Sequence, residues 1–159
     1  RSQEIQRLIG RSLRAVVDLK ALGEREITVD CDVLQADGGT RTASICGGYI
    51  ALHDACRRLI AANEIDMNPL LDELGAISVG LLDGAARLDL PYVEDAAAEV
   101  DVNVVLTVSQ EFVEVQGTAE GATFNRGQLD ELIGLASAGI DEIIQNQKKL
   151  LAVPPLPRN

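Results

Sequence analysis

The apolar residues change period along the chain, and the order of those changes limits the possible folds more than any other feature. Ile5, Leu8, Ile9, Leu13, Val16 and Val17 fall on one helix face between residue 3 and about residue 22, where Gly23 offers a stop. Ile27, Val29, Cys31 and Val33 alternate with Thr28, Asp30 and Asp32, which predicts a half-buried strand. Helical spacing returns at Ile45, Tyr49, Leu52, Cys56, Leu59 and Ile60, in a second helix ending near residue 62. After a polar break at residues 63–68, residues 76–82 read as a strand, Asp83-Gly84 as a hairpin turn, and residues 86–90 as the returning strand. Residues 102–108 and 112–116 predict another antiparallel pair, and residues 128 to about 151 a long final helix. With no internal repeat and no linker, this order predicts one α+β domain over residues 1–151, with helices packed on a largely antiparallel sheet. Residues 152–159, with Pro154, Pro155 and Pro157, are expected as a Pro-rich extended tail.

The core of such a domain must be aliphatic. Hydrophobic residues make up 47% of the 159-residue chain, yet aromatics are only 3% and Trp is absent. No apolar run approaches the roughly 20 residues that span a bilayer, and nothing resembles a secretory signal, so a cytoplasmic location is expected. The chain starts at Arg1 rather than Met, which suggests a fragment or a processed chain. Cys31, Cys46 and Cys56 form no C-x-x-C pair. The last two share a predicted helix roughly 15 Å apart, too far to bridge. All three are expected as free thiols packed as small hydrophobes. The formal net charge is −11. Taken alone, that opposes binding to a phosphate backbone, unless basic groups cluster locally or lie in sequence beyond this chain.

Two stretches could carry chemistry. Gly38-Gly39-Thr40-Arg41 precedes a helix. Glycines let backbone N–H groups approach an anion, a helix N-terminus adds partial positive charge, and Thr40 and Arg41 offer a hydroxyl and a planar fork for phosphate oxygens. On spacing alone, an ordinary glycine turn with an N-cap residue is the simpler account. The second stretch is acidic, with Asp89, Glu94, Asp95, Glu99 and Asp101. Converging carboxylates could hold Mg²⁺, but composition alone favours a solvated acidic loop. His53 is the only histidine; it finds no Ser-His-Asp or Cys-His pairing and reads as a surface residue on the outer part of its helix. Arg7, Arg11 and Arg14 form a stripe that could meet RNA or a partner chain, or simply be solvated.

Four segments, read together and in order, resemble the ribonuclease PH family. They are Arg1-Ser2-Gln3-Glu4-Ile5-Gln6-Arg7-Leu8-Ile9-Gly10-Arg11, the run from Asp30 through Gly39-Thr40-Arg41 to Ile45, the run from Tyr92-Val93-Glu94-Asp95 to Asp101-Val102-Asn103-Val104-Val105, and Glu114-Val115-Gln116-Gly117-Thr118-Ala119-Glu120-Gly121. The resemblance implies the ribosomal protein S5 domain 2-like fold, shared with polynucleotide phosphorylase and exosome subunits, lacking the family's N-terminal part. It implies phosphorolysis of RNA 3′ ends by inorganic phosphate, in tRNA maturation, within a hexameric ring of dimers. By motif position, Arg1, Gly39, Thr40 and Arg41 would bind phosphate. Asp95 and Asp101 would be the catalytic carboxylates, associated with Mg²⁺ or Mn²⁺. The alternative within the same resemblance is a catalytically silent subunit or fragment that serves assembly.

Overall fold

The computed structural model describes residues 2–154; Arg1 and residues 155–159, which hold most of the Pro-rich tail, lie outside the described residues. Strands β1 (Leu74–Leu82) and β2 (Ala85–Leu88) are joined by Asp83 and Gly84, both at positive φ, 52° and 72°. That backbone makes a two-residue hairpin turn whose twist suits the flanking strands. Strands β3 (Val100–Thr107) and β4 (Phe112–Ala119) follow, and the four form one sheet in the order β2-β1-β3-β4, antiparallel throughout.

Because side chains alternate along a strand, the register sorts the sheet into two faces. Ile77, Val79 and Leu81 of β1 lie opposite Val104, Val102 and Val100 of β3. This face is covered by α5 (Arg126–Leu151), which inserts Leu132, Ala136, Ile140 and Ile144, all fully buried. Asn125 starts α5 with a capping box: its side chain accepts from the Gln128 N–H while the Gln128 side chain accepts from its own N–H. Burying each large aliphatic side chain here contributes about 1.5–3 kcal/mol, so an aliphatic core suffices without Trp.

The opposite face carries Leu74, Ala76, Ser78 and Gly80 on β1 against Thr107, Val105, Asn103 and Asp101 on β3. Its apolar end packs on α3 (Thr40–Ala61) through Ile45, Tyr49, Leu52 and Cys56, and on α1 (Ser2–Ala15) through Leu8 and Leu13. Helix α1 is also held to the sheet edge by an ion pair of Arg11 with Glu114 on β4, at 2.6 Å. Ser78, Asn103 and Asp101 occupy the other end of this face, and there Asn103 and Asp101 line a polar cleft with residues of α1 and α3.

Several expectations need correction. The helix expected over residues 3–22 stops at Ala15, because Val17 bridges to Leu70 and the Asp18 N–H donates to the Pro69 carbonyl. The Asp18 side chain then caps a separate one-turn α2 (Leu19–Leu22). The alternating segment 27–33 belongs to no strand or helix. It runs along α3, with Val29 and Cys31 near Gly48 and Ile27 and Val29 half-buried, so its alternation reports packing on a helix. Cys31 is exposed and only Cys56 is fully buried, although all three cysteines are free as expected. His53 is half-buried rather than on the surface, its ring 6.3 Å from that of Tyr49. Among the described residues, no helix is long and apolar enough to cross a membrane.

Candidate active site

The cleft begins with the loop that launches α3. Gly39 sits at the helix N-cap in the left-handed region, φ 68°, and no side chain caps this end. Helix geometry leaves the first-turn N–H groups without intrahelical carbonyls. Gly38 is required by crowding: a Cβ there would lie 1.9 Å from the Leu90 carbonyl oxygen. The loop is therefore pressed against the start of the acidic segment, and Asp37 fastens the two together. Its Oδ1 accepts from the Gly38 N–H at 2.8 Å and from the Tyr92 N–H at 2.6 Å. Tyr92 opens the short helix α4 (Tyr92–Asp95), whose last residue is Asp95. Those two N–H donors hold the Asp37 carboxyl below its ordinary pKa.

Arg41, in the first turn of α3, reaches a cavity of about 270 Å³ that it shares with Glu4 and Ile5 of α1, Asp101 and Asn103 of β3, Gln116 and Thr118 of β4, and Glu120. The strand residues are there by register: Asp101 faces Thr118, and Asn103 faces Gln116. Asp101 Oδ1 is buried and has no hydrogen-bond partner. Burial raises the Asp101 pKa, as do the charges of Asp95 and Glu120, while Arg41 works in the opposite direction.

Of the expected site residues, Arg41 and Asp101 line one cavity, and Asp95 does not line it. Gly39 forms the turn that launches α3, its missing Cβ position 3.7 Å from Asp89 Oδ1. Thr40 is placed less directly: its hydroxyl donates to the Asp37 carbonyl at 2.9 Å, and the residue lines a neighbouring groove of about 510 Å³ with Gly38. Arg1 lies outside the described residues. Glu94 and Glu99, like Asp95, do not line the cavity. Sequence reading gave no role to Asp37, Glu4, Asn103, Gln116, Thr118 or Glu120. For the strand residues, the alternation of polar with apolar positions was a usable signal.

The residues fit a divalent cation in a limited sense. Among the described residues no three His, Cys, Asp or Glu side chains form a closed metal cage. The orphaned Asp101 oxygen, whose charge Asp95 influences, would offer a hard donor of the kind Mg²⁺ takes, an ion that keeps waters and shares substrate phosphates.

A model of domain 1 of the 3′ exoribonuclease family matches residues 1–57, and its domain 2 model matches residues 72–139. The chain belongs to the ribonuclease PH family of 3′ exoribonucleases. It is 56% identical over 149 residues to the ribonuclease PH of a Synechococcus species, an alignment that covers 94% of this chain and 60% of that protein. The chain therefore spans well under two thirds of that curated relative. Two solved structures share the ribonuclease PH fold at low identity. An archaeal exosome core superposes with a TM-score of 0.73 at 19% identity, covering 92% of this chain and 63% of that one. Rice (Oryza sativa) Rrp46 superposes with a TM-score of 0.69 at 16% identity, covering 96% of this chain and 66% of that one.

Proposed function

We propose that this chain contributes the catalytic cleft of a phosphorolytic 3′-to-5′ exoribonuclease that trims tRNA precursors, a phosphate-dependent tRNA nucleotidyltransferase. One observation carries this reading: Arg41, at an uncapped helix N-terminus, shares a cavity with Asp101, whose carboxylate also feels Asp95. Family membership supports it. Arg41 and the first-turn N–H groups of α3 hold and orient inorganic phosphate, with Gly39 giving the backbone its approach. A phosphate oxygen attacks the phosphorus of the last phosphodiester and the bond to the 3′ oxygen breaks. The terminal nucleotide leaves as a nucleoside diphosphate, and the shortened RNA takes a proton on its new 3′ hydroxyl. Asp95 and Asp101 would hold Mg²⁺ or Mn²⁺, which when bound offsets the negative charge of the reacting phosphates. Arg1 and the Thr40 hydroxyl belong to the same proposed phosphate site by motif position.

Residues 1–151 act in this reading as one domain, because α1 and α3 pack on the sheet built after residue 72. The intact protein assembles into a cytoplasmic hexameric ring of dimers, with RNA 3′ ends as its substrate. The test is Mn²⁺ binding to this chain followed by electron paramagnetic resonance. Wild type should bind the ion, and Asp95→Asn and Asp101→Asn should each weaken binding clearly; equal affinity in all three would sink the metal role.

A further inference from the structure

Helix α1 is expected to lie on the edge of the cleft for packing reasons, but one of its side chains enters the cleft itself. Glu4 and Arg11 are seven residues apart, so two helical turns put them on the same face of α1. Arg11 pairs with Glu114 of β4 at 2.6 Å and fixes that face over the strand. Glu4 is thereby held above Gln116, whose Nε2 donates to Glu4 Oε1 at 3.4 Å, and the same oxygen lies 3.9 Å from Arg41 Nη1. Arg41 is the only cationic side chain among the described residues that line this cavity, against the carboxylates of Glu4, Asp101 and Glu120.

From this geometry we propose that Glu4 is an internal competitor for the anion that Arg41 binds. The inference rests on the reading of Arg41 as the phosphate ligand. A carboxylate and a phosphate both seek the guanidinium fork, and Glu4 presents its carboxylate to Arg41 from within the same cavity. The contact is built to yield. At 3.9 Å it is long, and the Glu4 side chain is 61% exposed and able to swing outward, whereas Arg41 is only 32% exposed. Binding phosphate then requires Glu4 to give up Arg41, and its negative charge opposes the incoming dianion until it does. Glu4 is a residue that tunes phosphate affinity and contributes nothing to bond making.

The experiment is calorimetric titration of inorganic phosphate into the wild-type chain, Glu4→Gln and Arg41→Gln. Gln keeps the shape at position 4 and removes the charge. Exposed pairs of this kind shift an equilibrium by up to about fivefold, so Glu4→Gln should bind phosphate about two- to fivefold more tightly than wild type. The advantage should shrink as potassium chloride is raised, because the effect is electrostatic and partly solvated. A merely structural role for Glu4 predicts the opposite sign, with weaker binding. Unchanged or weaker binding by Glu4→Gln, with Arg41→Gln still abolishing it, overturns the competitor role and leaves the Arg41 site standing. Phosphate binding that is absent from wild type, or indifferent to Arg41→Gln, overturns both.

Discussion

Asp101 has one oxygen buried without a partner, with the negative charge of Asp95 and Glu120 nearby. Its ionised form is therefore disfavoured by folding, and the sign of the stability effect follows. Below the ordinary value of 3.8 the carboxyl is protonated both folded and unfolded, and it costs nothing. As pH rises from there through the raised folded pKa, the unfolded chain gains the charge more easily, and stability falls. Asp101→Asn should thus be more stable than wild type at pH 7, as is common where a functional site sacrifices stability. The difference should close as pH is lowered toward 3.8, and thermal melts across that range would check it. Asp101 and Arg41 were singled out in the sequence only because the surrounding segments resemble a family; local spacing alone favoured a solvated loop and an ordinary turn. Asp37 and Glu4 were not: their roles come from contacts 55 and 37 residues away, with Tyr92 and Arg41, which local spacing does not encode.

The elements that sequence periodicity placed best are those whose partners are also local. The β1–β2 hairpin follows from Asp83-Gly84, and α5 from its periodic apolar stripe, although its capping box at Asn125 starts it at Arg126 rather than at residue 128. Residues 27–33 and the end of α1 were misread because their structure depends on distant segments: α3 in one case, residues 69–71 in the other. Two substitutions test the elements that build the cleft. Ile140→Ala empties a fully buried position between α5 and the sheet, and should cost about 2–5 kcal/mol in a denaturant melt. Gly38→Ala would drive a Cβ into the Leu90 carbonyl and push the loop that precedes α3 off the acidic segment. It should cost about 1–3 kcal/mol and weaken phosphate binding as well, whereas Ile140→Ala should leave the affinity of the folded fraction intact. The Asp37 clamp depends on a carboxylate held below its ordinary pKa. Its contribution is present above that ordinary value and is lost as pH falls through the lower folded one.

At the scale of the whole molecule, the charge of −11 and the presence of a single cationic side chain among the described residues lining the cavity bear on RNA. Affinity for a phosphate backbone comes from Lys and Arg, so this chain alone should bind RNA weakly, and fluorescence titration with a short oligonucleotide should show that. This chain matches 60% of the length of the Synechococcus relative. The central claim is that Arg41 and the Asp95–Asp101 pair serve one phosphate-dependent transfer. It is tested most directly by the products released from a short RNA 3′ end, with the chain joined to the remaining length its relatives carry. The account predicts nucleoside diphosphates that appear only when inorganic phosphate is present. Asp95→Asn and Asp101→Asn should each lower turnover at least about a hundredfold, comparable with losing a major electrostatic contact in an active site, while RNA affinity changes far less. Release of nucleoside monophosphates without phosphate, or near-normal turnover in both variants, would contradict it.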